Sequence, residues 1–236
     1  MPREQMDENQ VAVYLHMDPR EVAKLASRGQ IPCRKVAGKF VFSKGDLDHW
    51  VFEQMGDLSR SRLAKIEGSV SAHHGLDNEG LVLTELIRAG ACVCPLAAKT
   101  KQSVLRALVA AGEEQGVVYN LPDLLDELSQ REDLCSTAMI PHVAMPHPRH
   151  PVPYDISESF VVVGLTPSGV PYGCTAGGLT RLFFLICCKD ERTHLHVLAR
   201  LAQILHDASH VGAVLECDDG DALFELISDY EQQLGS

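Results

Sequence analysis

The chain has 236 residues, 45% of them hydrophobic, and a formal net charge of −11. That length admits two domains at the usual size of ~100–150 residues each, and that hydrophobic content supports packed cores and argues against wholesale disorder. The longest fully apolar run, Leu182 to Cys188, falls far short of the ~20 residues that a bilayer-spanning helix needs.

The polar start "MPREQMDENQ" lacks the apolar stretch of a secretory leader, so the expected location is cytoplasmic. The eight cysteines include no C-x-x-C pair and are expected as reduced thiols, most of them in the core. Charge is unevenly distributed. Residues 1–66 hold 11 Lys+Arg and 9 Asp+Glu, a balance of +2, which leaves 10 and 23, a balance of −13, for residues 67–236. Such asymmetry implies that the two parts meet different partners.

Val11, Ala12, Tyr14 and Leu15 predict a short amphipathic helix that breaks near Met17. Asp18-Pro19 restarts a helix, with Asp as the cap and Pro at the first helical position, and Gly29 stops it. "CRKVAGKFVF" reads as a hairpin turning at Gly38, and Ser43-x-x-Asp46 has the form of a capping box ahead of Leu47, Trp50 and Val51. The order helix, tight turn, helix, β-wing, helix is that of a small α+β winged helix-turn-helix domain. The stretches "VAVYLHMDPREVAKLASRGQIP" and "RKVAGKFVFSKGDLDHWV" resemble the excisionase/MerR-like DNA-binding domain, which places such a domain at residues 1–55.

Seven bases against one acid between positions 20 and 44 suit a nucleic-acid face. Arg20 and Lys24, four apart on the second helix, are expected to meet the major groove, with Arg34, Lys35 and the wing-tip Lys39 contributing cationic contacts. An ordinary solvated basic face, or a protein-binding module, is the bland alternative. Residues 56–80, polar and barely periodic, read as a linker, in which His73 and His74 are exposed.

Residues 81–236 alternate helical and strand-like pieces. Helices are predicted over "KTKQSVLRALVAAGEEQG", "NLPDLLDELSQRED", "ERTHLHVLARLAQILHD" and "DALFELISDYEQQ". "ACVCPLAA" is a short apolar run, while "SFVVVGLT" and "TRLFFLICC" are the continuous runs of strands buried on both faces. The expected architecture is an α/β sandwich, a mixed sheet flanked by helices.

Between the second helix and the first long strand lies "IPHVAMPHPRHPVP", with three histidines and five prolines. His142, His147 and His150 are five and three residues apart in a segment whose prolines exclude a helix, with no cysteine or carboxylate among them. No metal or cofactor is expected here, and His142 and His150 are read as structural.

The longer run "REDLCSTAMIPHVAMPHPRHP" resembles the active-site segment of the phosphotransferase-system IIA domains of the fructose/mannitol and nitrogen-regulatory type. The resemblance continues through "PYGCTAGGLTRLFFLICC" and "THLHVLARLAQIL". It implies that His147 is a phosphoacceptor served by a histidine phosphocarrier (HPr-like) protein, that Arg131 is the family's arginine and that His194 is a second active-site histidine. The residue types suit the chemistry, because a neutral imidazole is a nucleophile at physiological pH and an arginine forks onto phosphate oxygens. Two departures stand out: His142 where the family commonly has glycine, and Gly177-Gly178 in place of an Asp-Gly.

The expected function is a phosphocarrier-type regulator coupled to transcription, or to nitrogen or carbon regulation. Its partners would be a histidine phosphocarrier, DNA, and a permease or regulatory target protein. The alternatives are a DNA-binding regulator whose IIA-like domain senses without phosphotransfer, or a IIA component serving a separate sugar permease.

Overall fold

A computed structural model of the chain describes residues 5–15, 17–43, 46–47, 50–51, 83–138, 140–174 and 177–234. The expected linker, with His73 and His74, lies outside the described residues, as does Lys44.

The N-terminal part begins with β1 (Gln5–Met6), α1 (Glu8–Tyr14) and α2 (Pro19–Ser27), followed by the hairpin strands β2 (Arg34–Val36) and β3 (Lys39–Ser43). Local chemistry sets each boundary. Asp7 and Gln10 form a reciprocal capping box at α1, and Asp18 accepts from the Arg20 backbone N–H with Pro19 at the start of α2. Gly29 takes a φ of +66° just past the α2 cap, a backbone that side chains with a Cβ resist. Val36 faces Lys39 across a two-residue turn, Ala37-Gly38, in which both φ values are positive, the turn geometry that matches strand twist. β3 lies between β1 and β2, both antiparallel to it. Val11, Tyr14, Val22, Phe42, Leu47 and Val51 are buried at the junction of these pieces, and Trp50 ties the last helical stretch to the turn by donating Nε1–H to the Gln30 carbonyl at 2.8 Å.

The C-terminal part opens with a 3-10 turn at Leu83–Leu86 and β4 (Cys92–Val93). Then come α3 (Lys101–Glu114), α4 (Leu121–Leu134), β5 (Val143–Ala144), β6 (Phe160–Val170) and β7 (Thr180–Cys187). α5 (Glu191–Leu205), α6 (Ala208–Leu215) and α7 (Gly220–Leu234) complete it. The sheet order is β4-β6-β7-β5, with β4 parallel to β6, β6 antiparallel to β7 and β5 parallel to β7, so the sheet is mixed. β6 is buried continuously from Phe160 to Thr166 and all but one residue of β7 is buried, which requires cover on both faces. α3 lies so close to β6 that a Cβ on Gly164 would sit 2.8 Å from Leu108 and from Leu96, which explains a glycine in mid-strand.

Three details refine the sequence reading. The run "ACVCPLAA" yields only two strand residues, because Pro95 has no N–H to continue the ladder. The stretch after α5 contains a separate helix, α6, begun where Asp207 accepts from the Ser209 N–H. The cysteines are all free thiols, but only Cys187 and Cys188 are fully buried and the other six are partly exposed. No described helix is long and apolar enough to cross a membrane.

Candidate functional site

β5 and β7 run parallel, so their carboxyl ends lie side by side, and crevices at carboxyl ends of α/β sheets are where such folds bind ligands. Beyond β5, Ile186 donates its N–H to the Pro146 carbonyl at 2.9 Å, which extends the ladder to the residue before His147. Beyond β7 the chain turns through Asp190 into α5, where His194 is the fourth residue. Two histidines 47 positions apart in sequence thereby meet, with ring centroids 4.9 Å apart and planes tilted by 55°.

His147 is 3% exposed and sits between Pro146 and Pro148, whose fixed φ angles restrict the backbone on both sides. Its Nδ1 lies 2.7 Å from the Met145 carbonyl oxygen. A carbonyl can only accept, so Nδ1 carries the proton, and the neutral form of the ring has its lone pair on Nε2.

His194 is partly buried. Desolvation and then the Arg131 guanidinium push its pKa down to about 4, against an opposing pull from Asp190, so at neutral pH the ring is uncharged. Asp190 fixes the start of α5 by accepting from the Thr193 N–H and O–H, both at 2.8 Å, while its carbonyl accepts from the His194 N–H at 3.2 Å. Arg131, on the last turn of α4, is 1% exposed and donates from Nη1 to the Cys135 carbonyl at 2.7 Å.

The structure thus gathers His147, His194 and Arg131. His142 and His150 are exposed. His142 has a φ of +67°, the left-handed backbone that suits glycine, and its Nδ1 is 3.1 Å from the Leu179 carbonyl. Gly177 and Gly178 also take positive φ. Among the described residues no group of three His, Cys, Asp or Glu side chains is placed to hold a metal ion.

Several supporting groups escaped the sequence reading. Asp190 was visible as a D-x-x-T capping pattern. Glu132, next to Arg131, is 3% exposed and accepts from the Thr137 N–H at 3.0 Å and O–H at 2.7 Å, with Lys101 Nζ 3.4 Å away. The Met145 carbonyl is a backbone feature with no residue signature.

In the N-terminal part, Arg20 and Lys24 are exposed on α2. Arg34 and Lys35 on β2 and Lys39 on β3 are exposed as well, and Lys35 Nζ lies 5.6 Å from the centroid of the Phe40 ring.

A mixed sheet flanked by helices, with paired histidines at its carboxyl edge and preceded by a helix-turn-helix unit, defines the class of protein. The family model described as "Phosphoenolpyruvate-dependent sugar phosphotransferase system, EIIA 2" matches residues 85–230, and a "Helix-turn-helix domain" model matches residues 6–55. The chain therefore belongs to the phosphotransferase-system EIIA 2 family.

Among curated relatives, the fructose-specific EIIABC component of the Bacillus subtilis phosphotransferase system is 23% identical over 152 residues, covering 64% of this chain and 24% of the relative. The mannitol-specific EIICBA component of Vibrio cholerae is 23% identical over 133 residues, covering 56% of this chain and 20% of the relative. The chain thus spans only about a quarter or less of the length of these two relatives. Among solved structures, IIA mannitol from Escherichia coli superposes with a TM-score of 0.52 at 23% identity, covering 59% of this chain and 98% of that one. Nitrogen regulatory protein IIA-Ntr from Neisseria meningitidis gives 0.55 at 20% identity, covering 61% and 97%. These likenesses establish the fold.

Proposed function

We propose that this chain is a IIA-type phosphoacceptor coupled to a DNA-binding unit, with His147 taking a phosphoryl group from a phosphohistidine on a histidine phosphocarrier protein. The observation that carries the reading is the His147–His194 pair, together with the 2.7 Å contact that assigns the proton of His147 to Nδ1.

In the transfer, the Nε2 lone pair attacks phosphorus in line, the donor N–P bond breaks, and its electron pair returns to the donor imidazole. The proton on Nδ1 stays against the Met145 carbonyl, so no base is needed. Arg131 would stabilise the charge on the phosphoryl oxygens. His194, neutral at pH 7, would offer a ring N–H to those oxygens without first repelling Arg131, and it lies on the first turns of α5, whose N-terminal dipole favours anions.

The exposed bases Arg20, Lys24, Arg34, Lys35 and Lys39 would bind DNA, so that phosphoryl status reports to transcription, including nitrogen or carbon control. A membrane permease component or a regulatory target protein would be the onward partner.

The test is labelling of the full chain with phosphoenolpyruvate, enzyme I and a cognate phosphocarrier. Wild type is expected to gain one acid-labile, base-stable phosphate that His147→Ala lacks. Failure of wild type to label leaves a DNA-binding regulator whose IIA-like domain senses without phosphotransfer.

A further inference from the structure

The proton assignment on His147 depends on where the Met145 carbonyl points, and the hydrogen bonds behind that carbonyl lead to one buried carboxylate. Met145 donates its N–H to the Thr137 carbonyl at 3.2 Å, and Thr137 is fully buried. Glu132 holds Thr137 with both oxygens: Oε1 accepts the backbone N–H at 3.0 Å and Oε2 accepts the hydroxyl at 2.7 Å. Arg131, its neighbour on α4, holds the other end of the same turn through the Cys135 carbonyl. Ser136 between them donates its hydroxyl to the Tyr172 carbonyl at 3.1 Å.

A carboxylate buried this deeply is costly unless its oxygens are satisfied, and here the turn and Lys101, 3.4 Å away, satisfy them. We propose that Glu132 is a positioning residue for the acceptor. Acting through Thr137 and Met145, it holds His147 in the Nδ1–H form and aims Nε2 at the incoming phosphoryl group.

This rests on His147 being the phosphoacceptor, but one of its consequences does not. Without Glu132 the turn loosens, the Met145 carbonyl loses its fixed direction, and the ring redistributes between its two tautomers. Lys101 is then left without its buried partner, so some loss of stability is expected as well. That loss alone does not distinguish positioning from simple support.

The test uses Glu132→Gln, Glu132→Asp and Thr137→Val in the full chain, with Glu231→Gln, a buried carboxylate outside this turn, as a control for destabilisation. Nitrogen-15 NMR of the His147 ring reads the tautomer. Initial labelling rates are measured at a fixed interval below each variant's own Tm. Glu132→Gln is expected to raise the Nε2–H share and slow labelling about tenfold with KM for the phosphocarrier unchanged. Glu132→Asp is expected to recover part of both effects, and Thr137→Val to shift both less than Glu132→Gln.

A wild-type tautomer ratio in Glu132→Gln overturns the proposal. So does a slowing that Glu231→Gln reproduces at equal loss of Tm. Should Glu132→Gln fail to fold, Thr137→Val decides by the same two readouts. If wild type takes no phosphate, the acceptor reading falls while the tautomer measurement still decides this one.

Discussion

His194 is a basic group whose surroundings keep it neutral, and that has a measurable sign. Its folded pKa is about 4, whereas an imidazole in an unfolded chain titrates near ~6.5. Between those values the unfolded chain binds a proton that the folded chain refuses. Its contribution to stability is therefore complete above pH ~6.5 and is lost as the pH falls toward 4, by at most about 3 kcal/mol. Urea unfolding of wild type and His194→Asn across this range should give a steeper acid loss for wild type; parallel curves would assign the slope to other groups. Phosphate on His147 would reverse the local balance and raise the His194 pKa, in the direction opposite to Arg131.

His147, His194 and Arg131 stood out in the sequence because the resemblance that singles them out rests on side-chain patterns: "VAMPH", a histidine at a helix start and an arginine near a helix end. What fixes the tautomer was not legible, since the Met145 carbonyl takes its direction from backbone hydrogen bonds between segments, which no local residue pattern displays.

Among the elements, α7 does more than close the chain. Glu231, 4% exposed, accepts from the backbone N–H groups of Leu83 and Thr84 and from the Thr84 hydroxyl, and lies 3.7 Å from Arg200 Nη1 on α5. One carboxylate thus joins the 3-10 turn, α5 and α7. Glu231→Ala would leave buried donors without their acceptor and is expected to lower the unfolding free energy by about 3 kcal/mol. Urea denaturation measures this, and a loss under about 0.5 kcal/mol would mean that water replaces the carboxylate.

α7 was readable from its apolar periodicity, but its role was not, because the bond spans 148 positions in sequence. The long strands β6 and β7 were also readable, as unbroken apolar runs. The two-residue strands β4 and β5 left almost no pattern, since two residues cannot show a period.

The two parts of the chain carry opposite charge balances, and their chemistry should separate in solution accordingly. If the exposed bases of the N-terminal part contact phosphates, log K for DNA falls linearly with log salt, and each contact removed by Arg20→Ala or Lys24→Ala flattens the slope by about 0.9. Binding indifferent to salt and to both substitutions would point to a protein partner. Arg149, two residues beyond His147, reaches Asp46 of the helix-turn-helix part at 3.4 Å, but both side chains are well exposed, and such pairs contribute little.

The short strand β5 is pinned at both ends. The His142 carbonyl accepts from the Arg181 and Leu182 N–H groups, both at 3.0 Å, and the Pro146 carbonyl accepts from Ile186. Those two clamps hold both ends of β5 against β7. The His142 turn, where this chain differs from the glycine common in its family, therefore lies at the opposite end of β5 from His147.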